Sequence, residues 1–221
     1  NPFAGGVIAV AEAARNTACT GARPMAVTNC LNFGNPERND VMYQMYQCIR
    51  GMSQACKKLR TPVVSGNVSL YNATRGVAIF PTPVVGMVGL IKDVKHHCTA
   101  GFKGAGDAVF LLGDPGGDQS LGSSEYLELV HGEVRGTQSI DLRAEKSLHD
   151  LLIRAIGRGL LRSAHDCSDG GLAVALAESC IIGDTGFKGT LPVNGRLDAA
   201  LFGEAQSRAV VSVSPGAVRR L

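Results

Sequence analysis

The stretch Ala-Val-Thr-Asn-Cys-Leu-Asn-Phe-Gly-Asn-Pro-Glu at residues 26–37 is followed by a second one, Pro-Val-Val-Ser-Gly-Asn-Val-Ser-Leu-Tyr-Asn, at residues 62–72. Each begins with a short apolar run that predicts a β-strand, and each continues into small residues, amides and hydroxyls that predict a loop. Backbone N–H groups and short polar side chains at the end of a strand suit a phosphorylated ligand. The two stretches therefore predict a binding site for such a ligand at the ends of two strands.

The length and charge of the chain exclude several classes of protein. Its 221 residues, 45% of them hydrophobic, are enough for one large domain or for two of about 100 residues each. The net charge of +3 is nearly balanced, so we expect neither a nucleic-acid partner nor a membrane-binding patch. No apolar run reaches the length of about 18 residues that a transmembrane helix needs, and no signal peptide is visible. The chain begins with Asn1 rather than Met, which suggests that preceding residues are missing.

The seven cysteines indicate a reducing, cytoplasmic environment. Their number is odd and no two have C-x-x-C spacing, so neither a disulfide framework nor a zinc site is expected. Most of them are predicted to be buried thiols. Cys30 and Cys167 fall in predicted polar loops, where reactivity is the less common alternative.

Apolar periodicity predicts a mixture of helices and strands in both halves of the chain. The clearest helix is 40–59, which carries one apolar stripe and has basic residues at its end. The other predicted helices are 6–19, Ser123–Val130, Glu145–Leu161 and Leu172–Cys180. The predicted strands are 24–28, 62–65, 83–91, Ala108–Leu112, Phe187–Leu191 and Arg208–Val213.

A stretch rich in glycine and lysine at 92–106 is predicted to link two units. We place the boundary near Thr99, which gives one domain over residues 1–98 and a second over 99–221. Both are predicted to be α+β units of similar size.

The first candidate sites are the two quoted stretches. Gly66-Asn67-Val68-Ser69 can form an anion-binding nest, in which Asn67 offers an amide oxygen to Mg²⁺ and Ser69 a hydroxyl to phosphate. The stretch 28–35 contains three asparagines and a threonine, which favours contact with a nucleotide. An ordinary turn and an irregular loop remain the alternatives for these two stretches.

Two further candidates lie in the second half of the chain. The loop Asp166-Cys167-Ser168-Asp169-Gly170-Gly171 precedes a helix, whose N–H groups could hold phosphate or could simply be capped. Glu204, Gln206 and Arg208 lie close together before a strand, and a local salt bridge is the alternative to ligand binding there. The sequence shows no Ser/His/Asp or Cys/His catalytic set, no P-loop and no dinucleotide fingerprint.

The order of motifs along the chain carries more information than any single motif. The motifs, in order, are Thr28-Asn29-Cys30-Leu31-Asn32-Phe33-Gly34-Asn35-Pro36, Pro62-Val63-Val64-Ser65-Gly66-Asn67-Val68-Ser69-Leu70-Tyr71-Asn72, Pro81-Thr82-Pro83-Val84-Val85-Gly86, Asp166-Cys167-Ser168-Asp169-Gly170-Gly171-Leu172 and Phe202-Gly203-Glu204. Over nearly the whole chain this order resembles the C-terminal half of the phosphoribosylformylglycinamidine synthase family, within the aminoimidazole ribonucleotide synthetase superfamily.

The resemblance implies an α+β fold of the aminoimidazole ribonucleotide synthetase type. An N-terminal α/β domain would help to build a barrel, and a C-terminal α+β sandwich domain would follow it. The implied activity is that of an ATP-dependent carbon–nitrogen ligase of purine biosynthesis. Formylglycinamide ribonucleotide, glutamine, ATP and water would give formylglycinamidine ribonucleotide, glutamate, ADP and phosphate.

The resemblance also implies roles for individual residues. Asn29 and Gly66 would contact ATP, Asn67 would bind Mg²⁺ and Ser69 would contact the substrate. Many relatives carry Asp at the position of Asn29, and an amide cannot supply that negative charge. An auxiliary nucleotide or phosphate site would involve a group of second-half residues: Asp166, Ser168, Asp169, Gly170, Gly171 and Glu204.

The implied partners are the N-terminal half of the same enzyme, a glutaminase subunit or domain and a small accessory subunit. No catalytic residue falls within this chain, because the catalytic histidines of the family lie in the N-terminal half. We therefore expect the chain to be inactive alone and its exposed barrel edge to favour self-association. The alternatives are a non-catalytic, nucleotide-binding architectural half and another superfamily member, such as a thiamine-monophosphate kinase or a selenophosphate synthetase.

Overall fold

The computed structural model describes residues 1–191, 193 and 195–220, which form two compact units. The first unit comprises Asn1–Ala14 and Pro24–Leu90, and the second comprises Arg15–Arg23 and the chain from Ile91 onward. The domain boundary near Thr99 stays a prediction. The elements that begin in the first half of the chain are α1 (Pro2–Cys19), β1 (Arg23–Asn32), α2 (Asn39–Leu59), β2 (Val63–Ser69), β3 (Ala73–Thr74), β4 (Val77–Ala78) and β5 (Thr82–Leu90).

Helix α2 confirms the clearest prediction from the sequence. Its apolar stripe is buried, with Val41, Cys48 and Met52 among the buried side chains. The helix ends at Arg60, which adopts a left-handed conformation and donates its backbone N–H to the Cys56 carbonyl. The lysines of the last turn lie where the helix dipole favours positive charge.

The start of α1 corrects the sequence-based prediction. We expected the helix to begin after Gly5 and Gly6, but both residues lie inside it. A Cβ atom at Gly6 would clash with the Cys48 carbonyl of α2, and one at Gly51 would clash with the Phe3 carbonyl of α1. Glycine is therefore required here by the close approach of two helix backbones, and it does not mark a helix boundary.

Strand β1 is the middle strand of a three-stranded sheet with the order β2-β1-β5. It pairs in parallel with β2, and Asn29 lies opposite Gly66 in the register. The segments 28–32 and 66–69 belong to these strands, so the prediction that both were loops is wrong. Their backbone groups are paired with each other across the ladder, and this pairing outweighs the poor strand propensity of asparagine and glycine.

The second unit is a three-stranded antiparallel sheet flanked by helices. Its sheet order is β6-β8-β7, so β8 is the central strand and is buried along its whole length. The elements of this unit are β6 (Ala108–Gly113), a 3₁₀ helix (Asp118–Leu121), α3 (Glu125–His131), α4 (Leu142–Gly157), β7 (Ser163–Asp166), α5 (Gly171–Gly183), α6 (Leu197–Phe202), β8 (Arg208–Val213) and a second 3₁₀ helix (Pro215–Arg220).

Alternate residues of β8 form two separate parts of the core. Ala209, Val211 and Val213 pack in one cluster with the α4 residues, including Leu152. Val210, from the opposite face of the strand, packs with Leu172 and Ala175 of α5 and with Phe102. Because side chains alternate across a strand, one strand can join a helix layer on each side of the sheet.

The predicted strands Ala108–Leu112 and Arg208–Val213 are confirmed, whereas the strand predicted at Phe187–Leu191 is wrong. The latter segment has no regular secondary structure, and the Phe187 ring lies 6.4 Å from that of Phe102. A Cβ atom at Gly189 would clash with the Phe187 ring, so the segment folds back on itself. Asp166, which was expected in a loop, is the last residue of β7.

Two further expectations concern the membrane and the cysteines. Within the described residues, no helix is both long and apolar enough to cross a membrane. All seven cysteines are free thiols, and five of them are buried, in agreement with the prediction that most would be; Cys30 and Cys180 are partly exposed.

Two adjacent glycines in α1 provide a matched test of the helix packing. Gly6→Ala should lower the free energy of unfolding by about 1–3 kcal/mol, because the new methyl group overpacks the contact with Cys48. Gly5→Ala should raise it by about 0.5–1 kcal/mol, because no atom lies within 4 Å of that Cβ position and alanine favours helix. Urea unfolding of both variants measures the difference. Equal effects would contradict the close backbone approach.

Candidate functional site

The pairing of β1 with β2 brings together the four residues predicted to bind ATP, metal and substrate. Asn29 lies opposite Gly66, Cys30 opposite Asn67, and Asn32 opposite Ser69. Paired residues of neighbouring strands share a face of the sheet, and successive residues alternate between faces. The Asn29–Gly66 pair therefore lies on one face, and Asn67 and Ser69 lie on the other.

The first of these faces, carrying Asn29 and Gly66, lies towards α2. The carboxamide of Asn29 lies across Gly66, where a Cβ atom would clash with its Oδ1 atom. A cavity of about 590 Å³ adjoins this face, and Asn29 contributes to its lining. The other lining residues are mostly apolar or weakly polar, with two basic residues among them: Leu31, Ile49, Met52, Ser53, Cys56, Lys57, Arg60, Thr61, Pro62 and Val63.

The second face carries an unbroken set of short, uncharged polar side chains, which we call the polar strip. It consists of three register pairs across the two strands: Thr28 with Ser65, Cys30 with Asn67, and Asn32 with Ser69. Asn67 is exposed, whereas Ser69 and Asn32 are half-buried. Asn32 donates from Nδ2 to the Thr82 carbonyl oxygen at 3.1 Å, which fixes the strip to β5. The strip can therefore hydrogen-bond a ligand but supplies no charge.

The residues around Asn67 do not form a magnesium site by themselves. Mg²⁺ is usually bound through one or two carboxylates together with phosphate oxygens and water. The polar strip contains no carboxylate, and the described residues contain no group of three or more His, Cys, Asp or Glu side chains placed to hold a metal. Asn67 can offer one neutral oxygen, so any carboxylate ligand must come from outside the polar strip.

The loop formed by residues 166–171 contacts Glu204 in the second unit. Glu204 Oε1 accepts hydrogen bonds from the backbone N–H groups of Gly170 and Glu125, each at 2.8 Å. Glu125 begins α3 and Gly170 precedes α5, so one carboxylate caps two helices. The predicted salt bridge with Arg208 is replaced by this arrangement, because Arg208 donates to the backbone carbonyls of Gly203 and Ala205.

Asp166 does not join Glu204 but faces α1. Its Oδ2 lies 3.7 Å from Arg15 Nε and 3.2 Å from Asn16 Nδ2. The loop residues Ser168, Asp169 and Gly171 follow it, and the Gly171 N–H donates to the Ser168 carbonyl. The structure therefore separates the predicted auxiliary residues into a Glu204–Gly170 contact and a buried ionic contact at Asp166.

A buried ionic cluster around Arg15 was missed by sequence reasoning. Arg15 and Glu145 are fully buried, and Arg15 Nη1 lies 2.8 Å from Glu145 Oε1. His149 Nε2 also lies 2.8 Å from Oε1, and Ser207 donates to Oε2. The position of Glu145 one turn before Leu148, on the apolar stripe of α4, was the available signal. Its partner Arg15 is 130 positions away and could not be identified from spacing.

The environment shifts the pKa values of two buried carboxyl groups and one half-buried carboxyl group in different directions. Burial favours the neutral form of Glu145, but the His149 hydrogen bond and the Arg15 charge outweigh it and lower the pKa. Burial dominates at Asp166 and raises its pKa, despite the nearby charge of Arg15. Burial likewise raises the pKa of Glu204, against the two backbone hydrogen bonds that favour its charged form.

The suggested reactivity of Cys167 is wrong. Its side chain is fully buried, and burial raises the pKa of the thiol to about 11. A thiol of this kind is almost entirely protonated at neutral pH and is a poor nucleophile. Cys30, by contrast, is half-buried on the polar strip.

Models of one protein family match both parts of the chain. The model described as AIR synthase related protein, N-terminal domain, matches residues 1–91. The model described as AIR synthase related protein, C-terminal domain, matches residues 104–221, which is more than half of the chain.

Sequence relatives carry one common name. The chain is 52% identical over 222 residues to the phosphoribosylformylglycinamidine synthase subunit PurL of Moorella thermoacetica, covering all of this chain and 30% of that protein. It is 50% identical to the PurL subunit of Anaeromyxobacter sp. strain Fw109-5, covering 96% of this chain and 29% of that protein. The chain therefore spans about 30% of the length of the curated relatives that it matches.

Solved structures of Thermotoga maritima PurL share the fold. Its complex with FGAR matches with a TM-score of 0.74 and 20% identity, over 99% of this chain and 36% of that one. Its complex with ATP matches with a TM-score of 0.71 and 19% identity, over 100% and 34%. The T. maritima PurLQS structure matches with a TM-score of 0.67 and 19% identity, over 99% and 34%. These similarities confirm the predicted α+β, synthetase-like fold.

The buried Glu145 predicts a specific dependence of stability on pH. Its lowered pKa stabilises the folded state above the unfolded value of about 4.3, and this stabilisation is lost as the pH falls through the folded pKa. Asp166 and Glu204, whose pKa values are raised, act in the opposite sense. Glu145→Gln should therefore be less stable than the parent at pH 7, and the difference should shrink below about pH 4. Thermal melting between pH 3 and pH 7 measures it, and a constant difference would contradict the ionic role.

The double cap at Glu204 predicts a graded loss of stability. Glu204→Ala removes the acceptor of two backbone N–H groups and should lower the free energy of unfolding by about 1–3 kcal/mol. Glu204→Gln keeps an acceptor oxygen and should lose less. Urea unfolding at pH 7 separates the two variants. An equal loss in both would mean that the negative charge, and not the oxygen acceptor, provides the stabilisation.

Proposed function

The chain belongs to the AIR synthase related protein family, and we propose that it is the C-terminal synthetase-like part of a phosphoribosylformylglycinamidine synthase. The whole enzyme would convert formylglycinamide ribonucleotide, with ATP and an ammonia donor, into formylglycinamidine ribonucleotide. The proposal draws on the 52% identity to a PurL subunit over the full length of the chain. The chain would supply binding residues, and the catalytic histidines would lie in the N-terminal half of the enzyme.

The observation that carries the proposal is the register of β1 against β2. It aligns Asn29 with Gly66, and Asn32 with Ser69, although the two motifs are separated by helix α2. The two paired strands therefore place the four proposed site residues within four successive register pairs of one ladder. Positioning of this kind is the main contribution that a protein makes to phosphoryl transfer.

The two faces of the sheet suggest a division of tasks among these residues. Asn29 and Gly66 would contact ATP near the cavity, whose lining includes the basic residues Lys57 and Arg60. Asn67 and Ser69 would bind ligand groups on the polar strip. Because the strip is uncharged, it suits the amide, hydroxyl and carbonyl groups of a ribonucleotide better than its phosphate.

Asn67 would contribute only one neutral oxygen to Mg²⁺. The metal would stabilise negative charge on the phosphoryl group when bound. Its carboxylate ligands would have to come from outside the polar strip, which contains none. For this reason we assign the described chain to positioning of nucleotide and substrate and derive no step from a metal held by it.

The proposed partners follow from the incomplete site. The N-terminal half of the same enzyme would supply the catalytic residues, and a glutaminase subunit or domain would supply ammonia, with a small accessory subunit. The PurLQS structure of T. maritima is consistent with an assembly of this kind in that organism. We further propose a cytoplasmic location, in keeping with seven free thiols.

A non-catalytic, architectural role is the second candidate, favoured by the arrangement around Glu204. Its carboxylate occupies the N–H group of Gly170 at the start of α5, where a phosphate would otherwise bind. An auxiliary phosphate there, involving Asp166, Ser168, Asp169, Gly170 and Gly171, would have to displace this carboxylate. On this view the second unit would stabilise the enzyme, and the nucleotide site would lie in the first unit alone.

Kinetics of the full-length enzyme that carries this chain test the proposal. ADP release is measured with formylglycinamide ribonucleotide, ATP and ammonium. Asn67→Ala should lower kcat/KM by about 10- to 100-fold, because it removes a hydrogen bond or ligand to a charged group. Asn1→Ala is the control, since its side-chain oxygen accepts the Ala4 backbone N–H at the exposed start of α1 and Asn1 belongs to none of the candidate sites.

The outcomes separate the candidates. An unchanged kcat/KM in Asn67→Ala would contradict the site on the polar strip. Loss of Mg²⁺-ADP binding in Asp169→Ala alone, measured by calorimetry, would place the nucleotide at the second-unit loop instead. ATP cleavage that needs thiamine monophosphate or selenide in place of the ribonucleotide would identify a different member of the superfamily.

A further inference from the structure

Asn72 lies beside Ser69 and contacts both of the motifs that build the polar strip. Its Nδ2 atom lies 3.1 Å from the Phe33 carbonyl oxygen, 3.0 Å from the Ser69 carbonyl oxygen and 3.1 Å from Ser69 Oγ. Its backbone N–H also donates to the Phe33 carbonyl at 3.1 Å. The side chain thus joins the end of β1 to the end of β2 at the position of the proposed substrate contact.

Asn72 and Ser69 can form a hydrogen bond in two ways, which differ in the direction of the Ser69 hydroxyl proton. Ser69 Oγ lies 3.3 Å from Asn72 Oδ1, which can accept the proton, and 3.1 Å from Nδ2, which can donate to the oxygen. A serine hydroxyl has one donor and two acceptor sites, whereas a primary amide has both kinds of group. If a ligand oxygen accepts a hydrogen bond from the Ser69 hydroxyl, Asn72 Nδ2 can still donate a hydrogen bond to Ser69 Oγ.

We propose that Asn72 is a positioning residue that directs the Ser69 hydroxyl proton towards an acceptor oxygen of the substrate. The inference rests on the proposed function, in which Ser69 contacts the ribonucleotide. Asn72 itself touches no ligand. Its role is to hold Ser69 and to replace the hydrogen bond that Ser69 gives up when the substrate binds.

The role requires the amide side chain of Asn72, because an ionised carboxylate could accept a hydrogen bond from Ser69 but could not donate one. An ionised aspartate at position 72 would hold the Ser69 proton by a charge-assisted hydrogen bond. It could not donate to the Phe33 or Ser69 carbonyl oxygens. It would also place negative charge beside a site that binds an anionic ribonucleotide.

A double-mutant cycle in the full-length enzyme tests the inference. The variants are Ser69→Ala, Asn72→Ala and the double variant, and the readouts are the KM for formylglycinamide ribonucleotide, the KM for ATP and the melting temperature. Asn72→Ala should raise the substrate KM by about 3- to 10-fold, as expected for one lost hydrogen bond, with the KM for ATP changed less than about 2-fold. Once Ser69 is alanine, removing Asn72 should add nothing further to the substrate KM.

Two further variants separate positioning from stability. Asn72→Asp keeps the size of the side chain and should raise the substrate KM at least as much as Asn72→Ala, so it serves if the alanine variant fails to fold. Asn1→Ala removes another asparagine of the first unit, whose side-chain oxygen accepts the Ala4 backbone N–H at the exposed start of α1, and it should leave both KM values unchanged.

Four results would overturn the inference. One is an effect of Asn72→Ala that adds fully to that of Ser69→Ala. Another is a substrate KM that rises equally in Asn1→Ala, which would indicate general destabilisation. If Ser69→Ala raises the KM but neither Asn72 variant does, only the role of Asn72 is wrong. If Ser69→Ala itself has no effect on the KM, the proposed substrate contact fails, and the inference fails with it.

Discussion

The parallel pairing of β1 with β2 is the interaction on which the candidate site depends. This pairing places Asn29 and Gly66 on one face of the sheet and Asn67 and Ser69 on the other. A shift of the register by one residue would exchange the two faces and destroy the polar strip. Gly66 is required by this pairing, because a side chain there would clash with the Asn29 carboxamide.

The second unit uses several carboxylates in internal structural contacts. Arg15 and Glu145 form a buried pair, and removing one partner of such a pair typically destabilises a protein by about 3–5 kcal/mol. Asp166 is drawn into the same cluster, and Glu204 caps two helices. Asp166 and Glu204, two of the carboxylates that the sequence places near the glycine loop, therefore have internal partners in the described structure.

Periodicity and resemblance predicted different parts of the molecule. Apolar spacing was sufficient for α2 and for the strand Arg208–Val213, because each buries a regular set of side chains. It failed for segments 28–32 and 66–69, where polar residues form strands because a partner strand supplies their hydrogen bonds. Their assignment to ligands came from the resemblance and remains a proposal. Contacts such as Arg15 with Glu145 depend on distant pairing that spacing does not encode.

The most direct test is a crystal structure of the full-length enzyme with a non-hydrolysable ATP analogue, Mg²⁺ and formylglycinamide ribonucleotide. We expect substrate atoms within hydrogen-bonding distance, about 2.7–3.2 Å, of Ser69, and Mg²⁺ bound to the side-chain oxygen of Asn67, both on the polar strip. A polar strip covered by protein, with the ligands bound only at the Gly170 loop of the second unit, would contradict the assignment of the site to the β1–β2 ladder.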